Sequence, residues 1–121
     1  MSTAEGMFAR CSKMKSFYGS LRYCTHCRGM FNNCTSLSTF DGDLRWCRDA
    51  RAMFTNCKLN KSSLECIADT IKSFAGTDDA PWQHTDGYHI HIGYNATASD
   101  AKAVENKLKE KGWTAKMVYT G

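Results

Sequence analysis

Apolar positions follow one period up to about residue 59 and a different one beyond it. Met7-Phe8 with Cys11 returns as Met30-Phe31 with Cys34 and again as Met53-Phe54 with Cys57, each time after 23 residues. Laid over one another, residues 7–29 and 30–52 share nine identities, among them Phe17/Phe40, Gly19/Gly42, Leu21/Leu44, Arg22/Arg45, Cys24/Cys47 and Arg28/Arg51. A period of roughly 20–30 residues is the signature of a solenoid, in which each unit buries its apolar face only against its neighbours. Such a fold presents a surface and seldom builds a catalytic cleft. Within a unit, Leu37-Ser38-Thr39-Phe40 reads as a short strand and Asp41-Gly42-Asp43 as the turn after it. Ala52-Met53-Phe54 reads as a buried turn or short helical segment ahead of Cys57.

Lys58-Leu59 breaks the register, and helical and strand periods take over. Ser62 with Glu65 three residues on has the form of a capping box, after which Leu64, Ile67, Ala68, Ile71 and Phe74 share one helical face. Residues 75–81 read as a loop. Tyr88 to Tyr94 alternates as a strand, with Tyr88, Ile90 and Ile92 on one side. Ser99 opens a second helix with Ala101, Val104 and Leu108 inward and Gly112 at its stop. Trp113 to Tyr119 alternates again, with Trp113, Ala115, Met117 and Tyr119 on one face. Strand, helix, strand implies a right-handed crossover and parallel pairing. The predicted architecture is therefore α/β. A short solenoid of 23-residue units occupies residues 1–59, with units at 7–29 and 30–52 and a partial one at 53–59. An α/β C-terminal cap at 60–121 extends one continuous parallel sheet and packs with the repeats as one domain.

Composition adds a partner class. The chain has 121 residues and a net charge of +4. Residues 7–57 hold eight basic side chains against three acidic ones, so the repeats carry +5 and the remainder is slightly acidic. A basic repeat face favours acidic partners. No apolar run is long enough to span a bilayer, so membrane insertion is not expected. Residues 1–6 lack the basic and apolar regions of a signal peptide. The first motif starts at Met7 without the polar capping unit a solenoid end requires, which suggests upstream repeats in a parent protein.

Seven cysteines need an account. Cys11, Cys34 and Cys57 share one phase, and Cys24 and Cys47 another. Equal phase means stacking, so a column of small buried thiols is the simplest explanation. Cys24-Thr25-His26-Cys27 has the spacing of half a zinc site, but no second knuckle follows. His89-Ile90-His91 sets two imidazoles on one strand face, about 6.5–7 Å apart, facing solvent or a metal. No phosphate loop, nucleophile elbow or zincin helix is present, and neither catalytic residues nor a metal or cofactor is assigned.

The segment before each Met-Phe motif is the candidate binding face. It reads Leu21-Arg22-Tyr23-Cys24-Thr25-His26-Cys27-Arg28 in one unit and Leu44-Arg45-Trp46-Cys47-Arg48-Asp49-Ala50-Arg51 in the next. Arginine, tyrosine and tryptophan dominate binding hot spots. The candidate contact residues are Arg22, Tyr23, His26, Arg28, Arg45, Trp46, Arg48, Asp49 and Arg51. The competing explanation packs Tyr23 and Trp46 between coils and leaves the arginines as a solvated edge.

Met30-Phe31-Asn32-Asn33-Cys34-Thr35-Ser36-Leu37-Ser38-Thr39-Phe40 resembles the BspA-like leucine-rich repeat, over about residues 7–59. The Ile67-Ala68-Asp69-Thr70-Ile71, Ile90-His91-Ile92-Gly93 and Lys111-Gly112-Trp113-Thr114 segments are similar to the C-terminal closure of phage-type members. The resemblance implies a leucine-rich-repeat-like solenoid in a bacterial surface or phage tail protein. It implies a non-enzymatic adhesion module for a protein or glycan receptor on a cell surface, with nucleic acid a poor candidate. Such a module sits at the virion or cell surface within a larger or oligomeric assembly. A zinc-stabilised module using Cys24, Cys27, His89 and His91, and a structural spacer with no ligand, are the alternatives.

Overall fold

The 23-residue period proves to be a stacking register. The computed structural model describes residues 5–21, 24–73 and 89–121. Over these residues the chain is a small α/β domain with parallel strands and two helices. In order they are β1 (Ser16–Gly19), β2 (Thr39–Gly42), β3 (Phe54–Leu59), α1 (Lys61–Thr70), β4 (His89–Tyr94), α2 (Ala98–Glu110) and β5 (Thr114–Tyr119). β1 pairs with β2 in parallel, Ser16 against Thr39 and Phe17 against Phe40. The repeat strand thus lies at Thr39–Gly42, and Asp41-Gly42 continue it instead of turning.

Backbone conformation repeats with the sequence. Gly6, Gly29 and Ala52 have φ of 63°, 64° and 56°, and Arg10, Asn33 and Asn56 have φ of 64°, 62° and 64°. Each Met-Phe-x-x-Cys motif therefore has one left-handed residue just before its Met and another just before its Cys. Glycine enters that region freely and asparagine with little penalty, so Ala52 and Arg10 are the strained members. The turns let each unit hydrogen-bond the next. Phe8 and Arg10 amides donate to the Met30 and Asn32 carbonyls at 2.9 and 2.7 Å, and Phe31 and Asn33 donate likewise to Met53 and Thr55 at 2.9 and 2.8 Å.

Two columns of phenylalanine fill the space between units. Phe8, Phe31 and Phe54 stack with successive centroids 5.6 Å apart, and Phe17 stacks on Phe40 at 5.7 Å. Edge contacts of 5.0 Å, Phe17 to Phe31 and Phe40 to Phe54, lock the columns together. Beside them the cysteines stack as expected from their phase. The Cys34 thiol donates to the Phe8 carbonyl at 3.0 Å and the Cys57 thiol to the Phe31 carbonyl at 3.3 Å. Burial pushes the Cys57 thiol up to about 12, and Cys34 is raised for the same reason. These are unreactive packing groups.

The sheet is not continuous. β1 and β2 form one sheet, while β3, β4 and β5 form a second in that order. The cause is α1, whose side chains take the place of the next strand along β2. Ser63 Oγ accepts from the Phe40 amide at 2.8 Å and donates to the Ser38 carbonyl at 3.1 Å. Further along, the Cys66 thiol donates to the Gly42 carbonyl at 3.3 Å, and Thr70 Oγ1 accepts from the Leu44 amide at 3.2 Å. The polar edge of β2 is satisfied without a strand, and β3 is left to pair with β4.

The helices start one step earlier than the cap residues expected for them. Asn60 caps α1 by accepting from the Ser63 amide, and Thr97 caps α2 by accepting from the Asp100 amide. Leu64, Ile67, Ala68, Ile71, Ala101, Val104 and Leu108 are all buried, as the helical periods require. Phe74, the 75–81 loop and Tyr88 lie outside the described residues. β4 and β5 pair in parallel from His89 against Thr114 to Tyr94 against Tyr119. On β5, Ala115 and Met117 pack toward the core, whereas Tyr119 is exposed. Gly93 must be glycine because β3 bulges toward it. A Cβ there would strike the Cys57 carbonyl and lie 2.8 Å from the Cys57 nitrogen.

Candidate recognition face

The two face segments stack in the same register as the strands. His26 and Asp49 form an isolated parallel bridge. The Cys27 amide donates to the Asp49 carbonyl at 2.8 Å, the Arg48 amide to Thr25 at 2.9 Å and the Gly29 amide to Arg51 at 2.8 Å. Leu21, Cys24, Cys27, Leu44, Cys47 and Ala50 form the buried underside. Cys47 is raised well above the usual thiol range, first by its hydrogen bond with Cys27 and then by burial.

The candidate contact residues separate by depth. Arg28, Arg45 and Trp46 are exposed, the indole at 45%, which argues against packing of Trp46 between coils. His26, Arg48 and Arg51 are half-buried. Asp43 accepts from the Arg45 amide at 3.0 Å and pairs with Arg45 Nε at 2.9 Å, so the exposed guanidinium is held against its own loop. Thr25 Oγ1 and His26 Nδ1 lie 3.1 Å apart. Arg22 and Tyr23 lie outside the described residues.

Asp49 sits beneath the face. It is 1% exposed, and Arg51 grips it from Nε at 2.9 Å and Nη2 at 2.7 Å. Burial alone would raise its carboxyl. The hydrogen bonds from Arg51, with the charges of Arg51 and Arg28, outweigh burial and hold it below the usual carboxylate range. Asp49 therefore orients Arg51 and offers no oxygen to a partner. Sequence alone gave no depth to distinguish it from His26, its counterpart in the unit before.

The arginine row ends in a cleft that the sequence did not bring together. Arg28, Arg51, Ala52, His89 and His91 line about 310 Å³ of space where the repeats meet β4. Alternation along β4 sends Ile90 and Ile92 into the core and His89 and His91 to this side. The available signal was the shared phase of Arg28 and Arg51 combined with the His-x-His alternation. Nothing local in the sequence says that the two meet. A second cleft, about 320 Å³ between α1 and α2, is lined by Lys61, Glu65, Asp100 and Lys107. Its charges are of both signs, and Lys61 pairs with Asp100 at 3.7 Å.

Among the described residues, no group of three or more histidine, cysteine, aspartate or glutamate side chains is placed to hold a metal ion. No helix among them is long and apolar enough to cross a membrane. No protein-family model, curated protein or solved structure matches this chain.

Proposed function

We propose that this chain is a recognition module built on a BspA-like leucine-rich-repeat frame, binding a protein or glycan partner that bears acidic groups. In this reading it acts without catalysis, at a cell or virion surface and within a larger assembly. The observation that carries the proposal is the registered stacking of residues 24–28 on 47–51. It sets Arg28 in register with Arg51 over an underside of buried leucine and cysteine. The outward positions change chemistry between units, Thr25 to Arg48, while the frame positions Cys24/Cys47 and Leu21/Leu44 do not. A constant frame with a changing face is the usual economy of a binding scaffold. Exposed arginine and tryptophan supply bidentate and stacking contacts to anionic and sugar surfaces.

The test is binding of the purified chain to bacterial cells and to an array of acidic and neutral glycans, beside an Arg45→Ala/Trp46→Ala variant. The expected result is selective capture by acidic ligands, weakened about tenfold or more in the variant, with an unchanged melting temperature. Equal binding by both proteins, or no capture by any surface, refutes the reading.

A further inference from the structure

The cleft at the end of the arginine row gathers four cationic or ionisable side chains from two unrelated parts of the chain. Arg28 and Arg51 occupy equivalent points of successive units, and His89 and His91 occupy alternate positions of β4. The parallel register places Lys116 of β5 beside His91. Among the described residues, the carboxylate close by is Asp49, which is buried behind Arg51 and fixes the plane of that guanidinium.

We propose that this cleft binds a single tetrahedral oxyanion, the sulfate or phosphate ester group of an acidic ligand. Guanidinium presents planar paired donors that match such an oxyanion, and imidazole adds directed N–H donors. An orienting carboxylate that pre-sets one arginine lowers the ordering cost of binding. The volume suits one such group with the first ring of its carrier. The proposal depends on the recognition reading only in placing Arg28 and Arg51 on the binding side of the molecule. A free oxyanion can occupy the cleft whether or not the rest of the face binds a partner.

Histidine is the side chain whose charge changes between about pH 5 and 8, while arginine stays charged throughout. Affinity for an anion of constant charge should therefore rise on acidification, through His89 and His91. Among the described residues, Lys116 beside His91, Arg28, and Arg51 with Asp49 behind it are the other charged groups at the cleft.

The experiment is an NMR titration of the isotope-labelled chain with inorganic sulfate, at pH 6 and pH 8, with chloride keeping ionic strength constant. Saturable shifts at His89, Ile90 and His91 are expected, with affinity about tenfold higher at pH 6, the equivalent of one added ion-pair contact. Arg28→Ala should weaken binding about tenfold or more at both pH values. His89→Gln combined with His91→Gln should abolish the pH dependence. Glucose 6-sulfate and glucose 6-phosphate in the same assay tell which ester the cleft prefers. Absence of saturable shifts at pH 6, or sulfate affinity unchanged in both the Arg28 and the double histidine variants, overturns the proposal. Arg45→Ala/Trp46→Ala should leave sulfate affinity unchanged, so failure of the recognition reading and failure of the oxyanion site are distinguishable.

Discussion

Ala52 shows how one residue can carry a measurable cost for keeping the repeat in phase. It holds φ at 56° where the equivalent positions are Gly6 and Gly29. A non-glycine residue in the left-handed region is disfavoured by roughly 1–2 kcal/mol, partly offset by the extra unfolded-state freedom of glycine. Ala52→Gly should therefore stabilise the chain by about 0.5–1 kcal/mol, seen as a higher urea midpoint. A lower midpoint would mean the alanine methyl contributes more to packing than the backbone loses. Asp49 is a residue whose burial decides its role. Its carboxyl is held below the ordinary value of 3.8 in the folded chain, so its contribution is present above that value and lost as pH falls through the lowered one. Asp49→Asn should cost about 1–3 kcal/mol at neutral pH. The difference from the parent chain should shrink as pH falls below 3.8 and through the lowered value. Urea unfolding of both proteins across pH 2–7 checks both the size and the sign.

At the scale of elements, the end of the repeat stack depends on α1 imitating a strand. Ser63, Cys66 and Thr70 recur at helical spacing and present polar atoms to the edge of β2. Ser63 is itself buried at 1% exposure, so its hydroxyl cannot be replaced by water without rearrangement. Ser63→Ala strips the Phe40 amide of its acceptor and should destabilise by about 1–3 kcal/mol. Faster hydrogen exchange at the Phe40 amide is the specific signature. An exchange rate equal to that of the parent chain would show that the edge is closed some other way. The same polar spacing was visible in the sequence, yet the apolar face of Leu64, Ile67, Ala68 and Ile71 dominated the helical period. That apolar face gives the helix and its inward side correctly. It does not reveal that a polar stripe beside it terminates a sheet, because that role exists only once β2 is in place. Cap positions differed for a related reason. Asn60 and Thr97 compete with Ser62 and Ser99 for the same orphan amides, and the residue that wins is set by where the preceding strand delivers the chain.

At the scale of the whole molecule, the repeat period was the legible part. It located the stacked columns, the buried cysteines and the parallel register of β1 with β2 from identities alone. The parallel pairing of β4 with β5 also followed from the order of periods. Division into two sheets was not legible, since β3 carries the same Met-Phe-x-x-Cys motif that makes turns in earlier units. It becomes a strand because β4 lies beside it. The proposed recognition face was legible as a row of arginines, but its depth was not. Burial of Asp49 and the meeting of Arg28 and Arg51 with His89 and His91 depend on how the C-terminal half docks against the repeats.

The central claim is that one constant frame carries a separable binding face. The most direct measurement is a saturation scan of residues 24–57 on displayed protein, sorted once for protease resistance and once for capture by the acidic ligand that scores highest in the binding screen. Substitutions at Leu44, Cys47, Met53, Phe54 and Cys57 should fail the first sort. Substitutions at Arg28, Arg45, Trp46 and Arg48 should pass it and fail the second. If the outward positions prove as intolerant of change as the frame in the protease sort, or if their substitution leaves capture intact, the claim is wrong.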